Sequence, residues 1–114
     1  MNNPITDIVK NWIQPSSNII DFGCGDGSLL KELRDQKQTV GYGIEIDPIG
    51  IALCLDKNIS VIEKNIDDGI DEFSDCNFDV AIMASSIQCL KEPNIALGKI
   101  LNLSNKCIVT IPNL

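Results

Sequence analysis

The chain has 114 residues, of which 44% are hydrophobic and 22% are charged, and its formal net charge is −7. This length suits one compact domain, and the acidity excludes a nucleic-acid or anionic-membrane surface, because phosphate contacts require clustered Lys and Arg. The chain has no histidine, which excludes histidine-dependent nucleophiles and histidine-containing zinc sites, and we expect no metal. Five scattered cysteines predict reduced thiols in the cytoplasm, with Cys76 as the exposed one, and no apolar run reaches the length of a membrane span.

The first third of the chain is predicted to form a helix, a strand and a second helix. Apolar residues at helical spacing predict an amphipathic first helix that packs on a sheet and ends before Pro15, with Trp12 in the core. These apolar residues are Ile5, Ile8, Val9, Trp12 and Ile13. A strand is predicted at residues 18–22, and a helix is predicted from residue 28 to about residue 36, with Asp26 as its cap. The inward face of this second helix is expected to carry Leu29, Leu30 and Leu33.

The rest of the chain alternates between strands and helices. The remaining strands are expected at residues 40–46, 59–63, 78–84 and 107–111. The helices are expected from Pro48 to a stop at Asn58, as a short helix within the acidic segment 65–77, and at residues 94–102. Asp47 suits the N-cap of the first of these, and the last is expected to turn Leu97, Ile100 and Leu101 inward.

This alternation predicts an α/β fold with right-handed crossovers and a parallel sheet covered on both faces. We therefore expect a Rossmann-like three-layer sandwich with strand order 3-2-1-4-5, formed by a single domain over residues 1–114. In such a sheet, ligands bind beyond the carboxyl ends of the strands, beside the first strand.

The segment Gly23-Cys24-Gly25-Asp26-Gly27 occupies that position, between a strand and a helix. A dinucleotide fingerprint would place its third glycine at Ser28, one residue later than here. Asp21 and Asp26 flank the loop, and their carboxylates would repel a phosphate and attract an ammonium or a sulfonium. The loop therefore favours a cationic adenosyl ligand such as S-adenosylmethionine over a dinucleotide. The structural alternative is a glycine-rich turn that serves only the strand-to-helix geometry.

Further candidate ligand contacts follow the second, third and fourth strands. Glu45 ends the second strand, where a carboxylate can accept both ribose hydroxyls of NAD or of adenosylmethionine, although it can also be a solvated strand-end group. Asp67 in Asn65-Ile66-Asp67 is placed to accept a hydrogen bond from an adenine amine, although it can also belong to a solvated acidic surface. Ser85 or Gln88 can touch the methionine part or a substrate, although serine also caps helices.

Four segments together resemble the successive binding motifs of class I S-adenosylmethionine-dependent methyltransferases. They are Ile-Asp-Phe-Gly-Cys-Gly-Asp-Gly at 20–27, Gly-Ile-Glu-Ile-Asp at 43–47, Asn-Ile-Asp at 65–67 and Phe-Asp-Val-Ala-Ile at 78–82. Within that superfamily the whole chain resembles the MetW branch of methionine biosynthesis. The narrower resemblance rests on Asp-Gly-Ser-Leu-Leu at 26–30, Gly-Tyr-Gly-Ile-Glu-Ile-Asp at 41–47, Ile87-Gln88 and the terminal Ile-Pro-Asn at 111–113.

The resemblance implies a role for each matching residue. Gly23 and Gly25 would approach the ligand with their backbone, and Asp21 would hold the methionine amino group. Glu45 would bind the ribose hydroxyls and Asp67 the adenine amine. The cofactor-binding residues expected on this basis are Asp21, Gly23, Cys24, Gly25, Glu45, Ile46, Asn65, Ile66, Asp67 and Ser85. The implied cofactor is S-adenosylmethionine, with S-adenosylhomocysteine as its product, and no catalytic residue is assigned.

The chain departs from the superfamily pattern at its end. It stops at Leu114, directly after the predicted fifth strand, where class I methyltransferases usually add an antiparallel strand pair. We therefore expect the class I fold without that pair, with the fifth strand as an open edge unless another chain or a removed segment covers it. That edge is where the chain is expected to form a homo-oligomer.

Two functions fit these expectations. The first is a methyltransferase of methionine biosynthesis, since methyl transfer needs chiefly in-line approach and desolvation. The second, which the resemblance also implies, is a non-catalytic module that binds S-adenosylmethionine or S-adenosylhomocysteine and activates homoserine acetyltransferase.

Overall fold

The protein is described from a computed structural model, which covers residues 4–84, 87 and 90–110, without the side chains of residues 4, 5 and 84. Its elements are α1 (Pro4–Asn11), β1 (Asn18–Phe22), α2 (Ser28–Lys37), β2 (Val40–Glu45), α3 (Pro48–Asp56), β3 (Ser60–Glu63), α4 (Ile66–Glu72), β4 (Phe78–Ala84), α5 (Pro93–Leu103) and β5 (Ser104–Thr110). The five strands form one sheet in the order β3-β2-β1-β4-β5, with parallel pairing throughout. The predicted α/β class and strand order are confirmed.

Helices cover both faces of the sheet. Successive side chains of a strand point to opposite faces, so Ile19 and Ile20 of β1 belong to two separate apolar cores. The core that contains Ile19 is completed by residues of α1, α2 and α3, and the core that contains Ile20 is completed by residues of α4 and α5. The sheet is therefore the middle layer of a three-layer sandwich.

The register fixes which residues meet at the carboxyl end of β1. Asp21 pairs with Gly43 of β2 on one side and with Ile82 of β4 on the other. The chain leaves β1 towards β2 and later returns on the other side of β1 as β4. The carboxyl end of β1 is therefore the switch point of the sheet, where open α/β folds leave a crevice for ligands.

The first helix is shorter than its sequence pattern suggests. It ends at Asn11, so Trp12 lies beyond it and does not continue its inward face. Val9 and Ile13 are buried, whereas Trp12 is 54% exposed and Ile8 is 50% exposed. The prediction that Trp12 belongs to the core is wrong, because the helical periodicity on which it rested stops one residue earlier.

The last helix and strand also differ from the prediction. Residues Ala96, Ile100 and Leu103 form the inward face of α5, while Leu101 is 59% exposed and Leu97 is half-buried. β5 starts at Ser104, three residues earlier than predicted, because its pairing with β4 begins there, opposite Phe78. No turn separates α5 from β5, so local sequence punctuation could not mark this boundary.

Candidate functional site

The loop after β1 is held in a conformation that favours glycine. Gly23, Gly25 and Gly27 have φ angles of 81°, 60° and 80°, in a region that residues with a side chain rarely adopt. A Cβ atom added at Gly25 would have no neighbouring atom within 4 Å. No neighbouring side chain therefore explains a glycine at this position, and its bare backbone faces open space that a ligand can occupy.

Hydrogen bonds from several elements fix this loop. The Gly23 N–H donates to the Ile44 carbonyl at 2.8 Å, and the Lys57 Nζ donates to the Asp26 carbonyl at 3.0 Å. Asp26 is not the N-cap of α2, because Gly27 occupies that position without a side-chain bond. The Asp26 carboxylate still accepts the N–H of Ser28, the first residue of α2, at 3.0 Å. The hydrogen bonds of the Ser28 side chain and, secondly, of its backbone lower the pKa of Asp26.

Glu45 connects the end of β2 to the glycine loop. Its Oε1 accepts the Gly25 N–H at 2.7 Å, and its Oε2 accepts the N–H groups of Ile46 and Asp47 at 3.1 and 3.0 Å. These bonds orient the carboxylate and leave Oε1 free to accept one further hydrogen bond. They also occupy the Gly25 N–H with a carboxylate, which makes this amide a poor donor for a pyrophosphate.

Asp21 is the most unusual residue of the site. It is 3% exposed, and its Oδ1 is buried without a hydrogen-bond partner. Burial, and secondarily the nearby charge of Glu45, raises the pKa of Asp21 from 3.8 to about 7. A buried carboxyl oxygen without a donor is costly, and a positively charged donor such as an ammonium would satisfy it.

The other predicted residues lie along the same edge of the sheet. Asp47 accepts the Ile49 N–H at 3.1 Å and is the N-cap of α3, as its position after β2 predicted. Asn65 accepts the Asp68 N–H at 2.8 Å and is the N-cap of α4, so its side chain has a structural role.

The remaining predicted residues include the one expected to contact the adenine amine. Asp67 is half-buried in the first turn of α4 and lines a cleft between α4 and α5. The other polar residues of this cleft are Asp68, Asp71, Lys91, Glu92 and Lys99. Ile46 is 59% exposed, and the half-buried Ile66 packs against the core on the α4 and α5 face. Ser85 lies outside the described residues.

Two residues of α3 that the sequence did not single out contact the loop. A Cβ atom at Gly50 would lie 2.8 Å from the Gly25 carbonyl oxygen, so only glycine permits this approach. Cys54 lies one turn further along the helix, and its Sγ donates to the same carbonyl at 3.3 Å. An isolated glycine inside an apolar helix, at Pro-Ile-Gly-Ile, was the available signal for this close packing.

The hydrogen-bond acceptors of the candidate site fit one kind of ligand. Asp21 and Glu45 are acidic, and Gly25 leaves space beside them, which fits a ligand that carries a cationic amine and hydroxyl groups. Within residues 4–84, 87 and 90–110, the acidic and cysteine side chains form no cluster of three that suits a metal ion. The described helices include none long and apolar enough to cross a membrane.

The sequence matches one known protein family. The model of the family described as methionine biosynthesis protein MetW matches residues 4–114. The bifunctional methionine biosynthesis protein MetXA/MetW of Rhodopirellula baltica is 28% identical over 109 residues, which cover 89% of this chain. The chain spans only 18% of the length of that relative.

Solved structures share the fold at low sequence identity. A coclaurine N-methyltransferase bound to N-methylheliamine and S-adenosylhomocysteine has a TM-score of 0.77 and 15% identity, over 92% of this chain and 34% of its own. A Geobacter sulfurreducens methyltransferase in complex with S-adenosylhomocysteine has a TM-score of 0.71 and 16% identity, over 90% of this chain and 44% of its own. The fold is thus that of class I methyltransferases, and this chain spans less than half of either neighbour.

Proposed function

This chain belongs to the family of methionine biosynthesis protein MetW, and from that premise we propose that it binds S-adenosylmethionine at the carboxyl edge of its sheet and acts as a methyltransferase-like protein. In this proposal residues 1–114 form one cofactor-binding domain. We further propose that the protein acts in the cytoplasm, in keeping with the free thiols of Cys24, Cys54, Cys76 and Cys107.

The buried carboxyl of Asp21 is the observation that carries the proposal. Its Oδ1 has no donor, and burial raises its pKa to about 7. An ammonium group at Oδ1 would return the carboxyl to its ionised form and give the buried oxygen a charge-assisted hydrogen bond. The amino group of the methionine part of the cofactor has this charge. The low-identity neighbours whose structures contain S-adenosylhomocysteine support the same class of ligand.

The remaining contacts follow from this anchor. Gly25 offers open space beside its backbone, and Glu45 keeps one acceptor position on Oε1 for a ribose hydroxyl. Asp67, in the cleft between α4 and α5, accepts the adenine amine in this arrangement. When bound, S-adenosylmethionine supplies a methyl group on a positively charged sulfur. These residues bind and orient the cofactor, and we assign none of them as a catalytic acid or base.

Calorimetric titration tests the class of ligand. The protein is titrated separately with S-adenosylmethionine, S-adenosylhomocysteine and NAD. We expect both adenosyl compounds to bind and NAD not to bind, because two carboxylates line the site and one of them occupies the Gly25 N–H. Binding of NAD with no binding of the adenosyl compounds would overturn the proposal.

The substitution Glu45→Ala tests the ribose contact. It removes an acceptor that also fixes Gly25, so we expect the affinity for S-adenosylhomocysteine to fall by about 1.5–3 kcal/mol, the scale of charged hydrogen bonds. Calorimetry measures the loss. Glu63→Ala is a matched control, since the exposed Glu63 pairs with Glu45 in the register of β2 and β3. Equal affinities of Glu45→Ala and the unmodified protein would remove the ribose assignment.

A second candidate function is activation of an acetyltransferase. The curated relative joins MetXA and MetW in one bifunctional protein, which favours a functional connection between the two parts. In this alternative the chain binds S-adenosylmethionine or S-adenosylhomocysteine and activates homoserine acetyltransferase through a protein interface. The side of β5 that faces away from β4 in the described sheet is the surface that we propose for contact with this partner or with a second copy of this chain.

Mixing the protein with a homoserine acetyltransferase separates the two candidates. Stimulated acetyl transfer without a methylated product supports the activator. Formation of a methylated product without stimulation supports the methyltransferase. Since the candidates share the same cofactor site, the Glu45→Ala variant is expected to weaken either activity.

A further inference from the structure

Two cysteines lie in contact beneath the glycine loop. The Sγ atoms of Cys24, in the loop, and Cys54, in α3, are 3.7 Å apart. Cys54 is fully buried and Cys24 is 9% exposed. Both thiols also point at the Gly25 carbonyl, at 3.8 Å from Cys24 and 3.3 Å from Cys54. The pair therefore lies directly against the backbone that forms the proposed cofactor site.

We propose that Cys24 and Cys54 form an oxidisable dithiol, which a hydroperoxide converts to a disulfide that changes the glycine loop. The thiolate of Cys24, the more exposed of the two, attacks one peroxide oxygen, giving a sulfenic acid and releasing hydroxide. The thiolate of Cys54 then attacks the Cys24 sulfur and displaces a second hydroxide. Both hydroxides take up the thiol protons, so two thiols and one hydrogen peroxide give one disulfide and two water molecules.

The two sulfur atoms start close to bonding distance. A disulfide has an S–S distance of about 2.05 Å, so the two Sγ atoms must approach by roughly 1.6 Å from their separation of 3.7 Å. Cys24 stands between Gly23 and Gly25, whose backbone can rearrange more easily than that of other residues. A Cβ atom at Gly43 would lie 2.3 Å from the Cys24 Sγ, so this glycine provides the room that the thiol occupies.

Burial of the two thiols slows their oxidation. It raises the pKa of both thiols, so few of them are thiolates at neutral pH and the oxidation is slow. Cys76 is exposed and is expected to react faster, between molecules as well as with the oxidant. A Cys76→Ser background removes this competing reaction.

The disulfide is expected to weaken cofactor binding, and this part rests on the proposed function. Movement of Cys24 towards α3 displaces Gly25, whose N–H is bound by Glu45 at 2.7 Å. Conversely, a cofactor lying on the loop shields Cys24 and holds it away from Cys54. If the disulfide weakens cofactor binding, the bound cofactor must disfavour the disulfide by the same factor. We expect oxidation to lower the affinity for S-adenosylhomocysteine about tenfold, within the usual range of such coupling.

Peptide mapping after hydrogen peroxide treatment tests the dithiol without any ligand. Trypsin places Cys24 in the peptide 11–31, Cys54 in 38–57 and Cys107 in 107–114, while Cys76 and Cys89 share 65–91. We expect the peptides 11–31 and 38–57 to become linked in the unmodified protein and in Cys76→Ser. The link should persist in Cys107→Ser and disappear in Cys54→Ser. Reduced cysteines in both peptides, a sulfinic acid at Cys24 or a link from either peptide to 65–91 would overturn the proposal.

A second arm repeats the oxidation in saturating S-adenosylhomocysteine. Slower linkage of the two peptides supports the shielding, and an unchanged rate in a protein that binds the compound by calorimetry would overturn it. Linkage in a protein that fails to bind S-adenosylhomocysteine would contradict the proposed function and leave the dithiol standing. Binding of S-adenosylhomocysteine without any linkage of the two peptides would overturn the dithiol and leave the proposed function standing.

Discussion

The two ends of the parallel sheet differ in whether their charged side chains have hydrogen-bond partners. At the amino end, the Asp79 carboxylate accepts the Asn18 N–H at 2.7 Å, and Lys37 donates to the Ile13 carbonyl at 2.7 Å. At the carboxyl end, the Asp21 Oδ1 is buried without a hydrogen-bond donor. Burial and, secondly, the negative charge of Glu45 raise the pKa of Asp21. These charged groups at the amino end stabilise the fold, whereas the negative charge of Asp21 at the carboxyl end is retained at a cost that a cation would relieve. This contrast supports the proposal that the carboxyl end holds a binding site.

The substitution Asp21→Asn sharpens this contrast most. The carboxyl of Asp21 titrates near 3.8 when unfolded and near 7 when folded, so its contribution to stability is present below pH 4 and is lost as the pH rises through 7. Removing the charge should therefore stabilise the ligand-free protein at pH 8, by on the order of 2–4 kcal/mol, and by less at pH 5. Urea unfolding at the two pH values measures the difference.

Asp79→Asn is the matched control at the amino end. The exposed Asp79 already has a backbone donor, so its replacement should bring no gain in stability at either pH. If Asp21→Asn were no more stable than the unmodified protein at pH 8, the two ends would not differ as described.

Two glycines in helices provide the next comparison. A Cβ atom at Gly50 would lie 2.8 Å from the carbonyl oxygen of Gly25, whereas a Cβ atom at Gly98 in α5 would meet nothing within 4 Å. We expect Gly50→Ala to destabilise the protein by about 1–3 kcal/mol and to displace the loop. Gly98→Ala should stabilise it by roughly 0.5–1 kcal/mol through helix propensity. Thermal unfolding measures both changes, and effects of the same sign would break the comparison.

A small effect, with no consequence for binding, is expected from Lys37→Met at the amino end. The Lys37 Nζ donates to the carbonyls of Lys10, in the last turn of α1, and of Ile13, just after it. Met keeps an unbranched apolar stem without the charge. We expect a loss of about 1 kcal/mol of unfolding free energy, the net value of typical hydrogen bonds. Affinity for S-adenosylhomocysteine should not change. A large loss of affinity by calorimetry would show that the amino end influences the site.

The sequence predicted the fold better than it predicted side-chain environments. Strand order and the Asp47 cap followed from local patterns of apolar residues and capping groups. Trp12 was misplaced because α1 ends before it, and the start of β5 was misplaced because strand pairing, a long-range property, decides it.

The site itself was predicted only at the level of residue identity. The sequence indicated carboxylates at positions 21 and 45, and the structure adds that one lacks a donor while the other accepts three backbone N–H groups. The contact between Cys24 and Cys54 joins residues 30 positions apart, and no local pattern encodes it. The contact between the two cysteines depends on the packing of α3 against the loop.

Proton release on binding tests the central claim most directly. If Asp21 has a pKa of about 7 in the free protein and becomes ionised against the ligand's ammonium, binding of S-adenosylhomocysteine at pH 7 should release roughly half a proton. Calorimetric titrations in buffers of different ionisation enthalpy measure this number. The account predicts release in the unmodified protein and none in Asp21→Asn. Binding without proton release, or release that persists in Asp21→Asn, would contradict it.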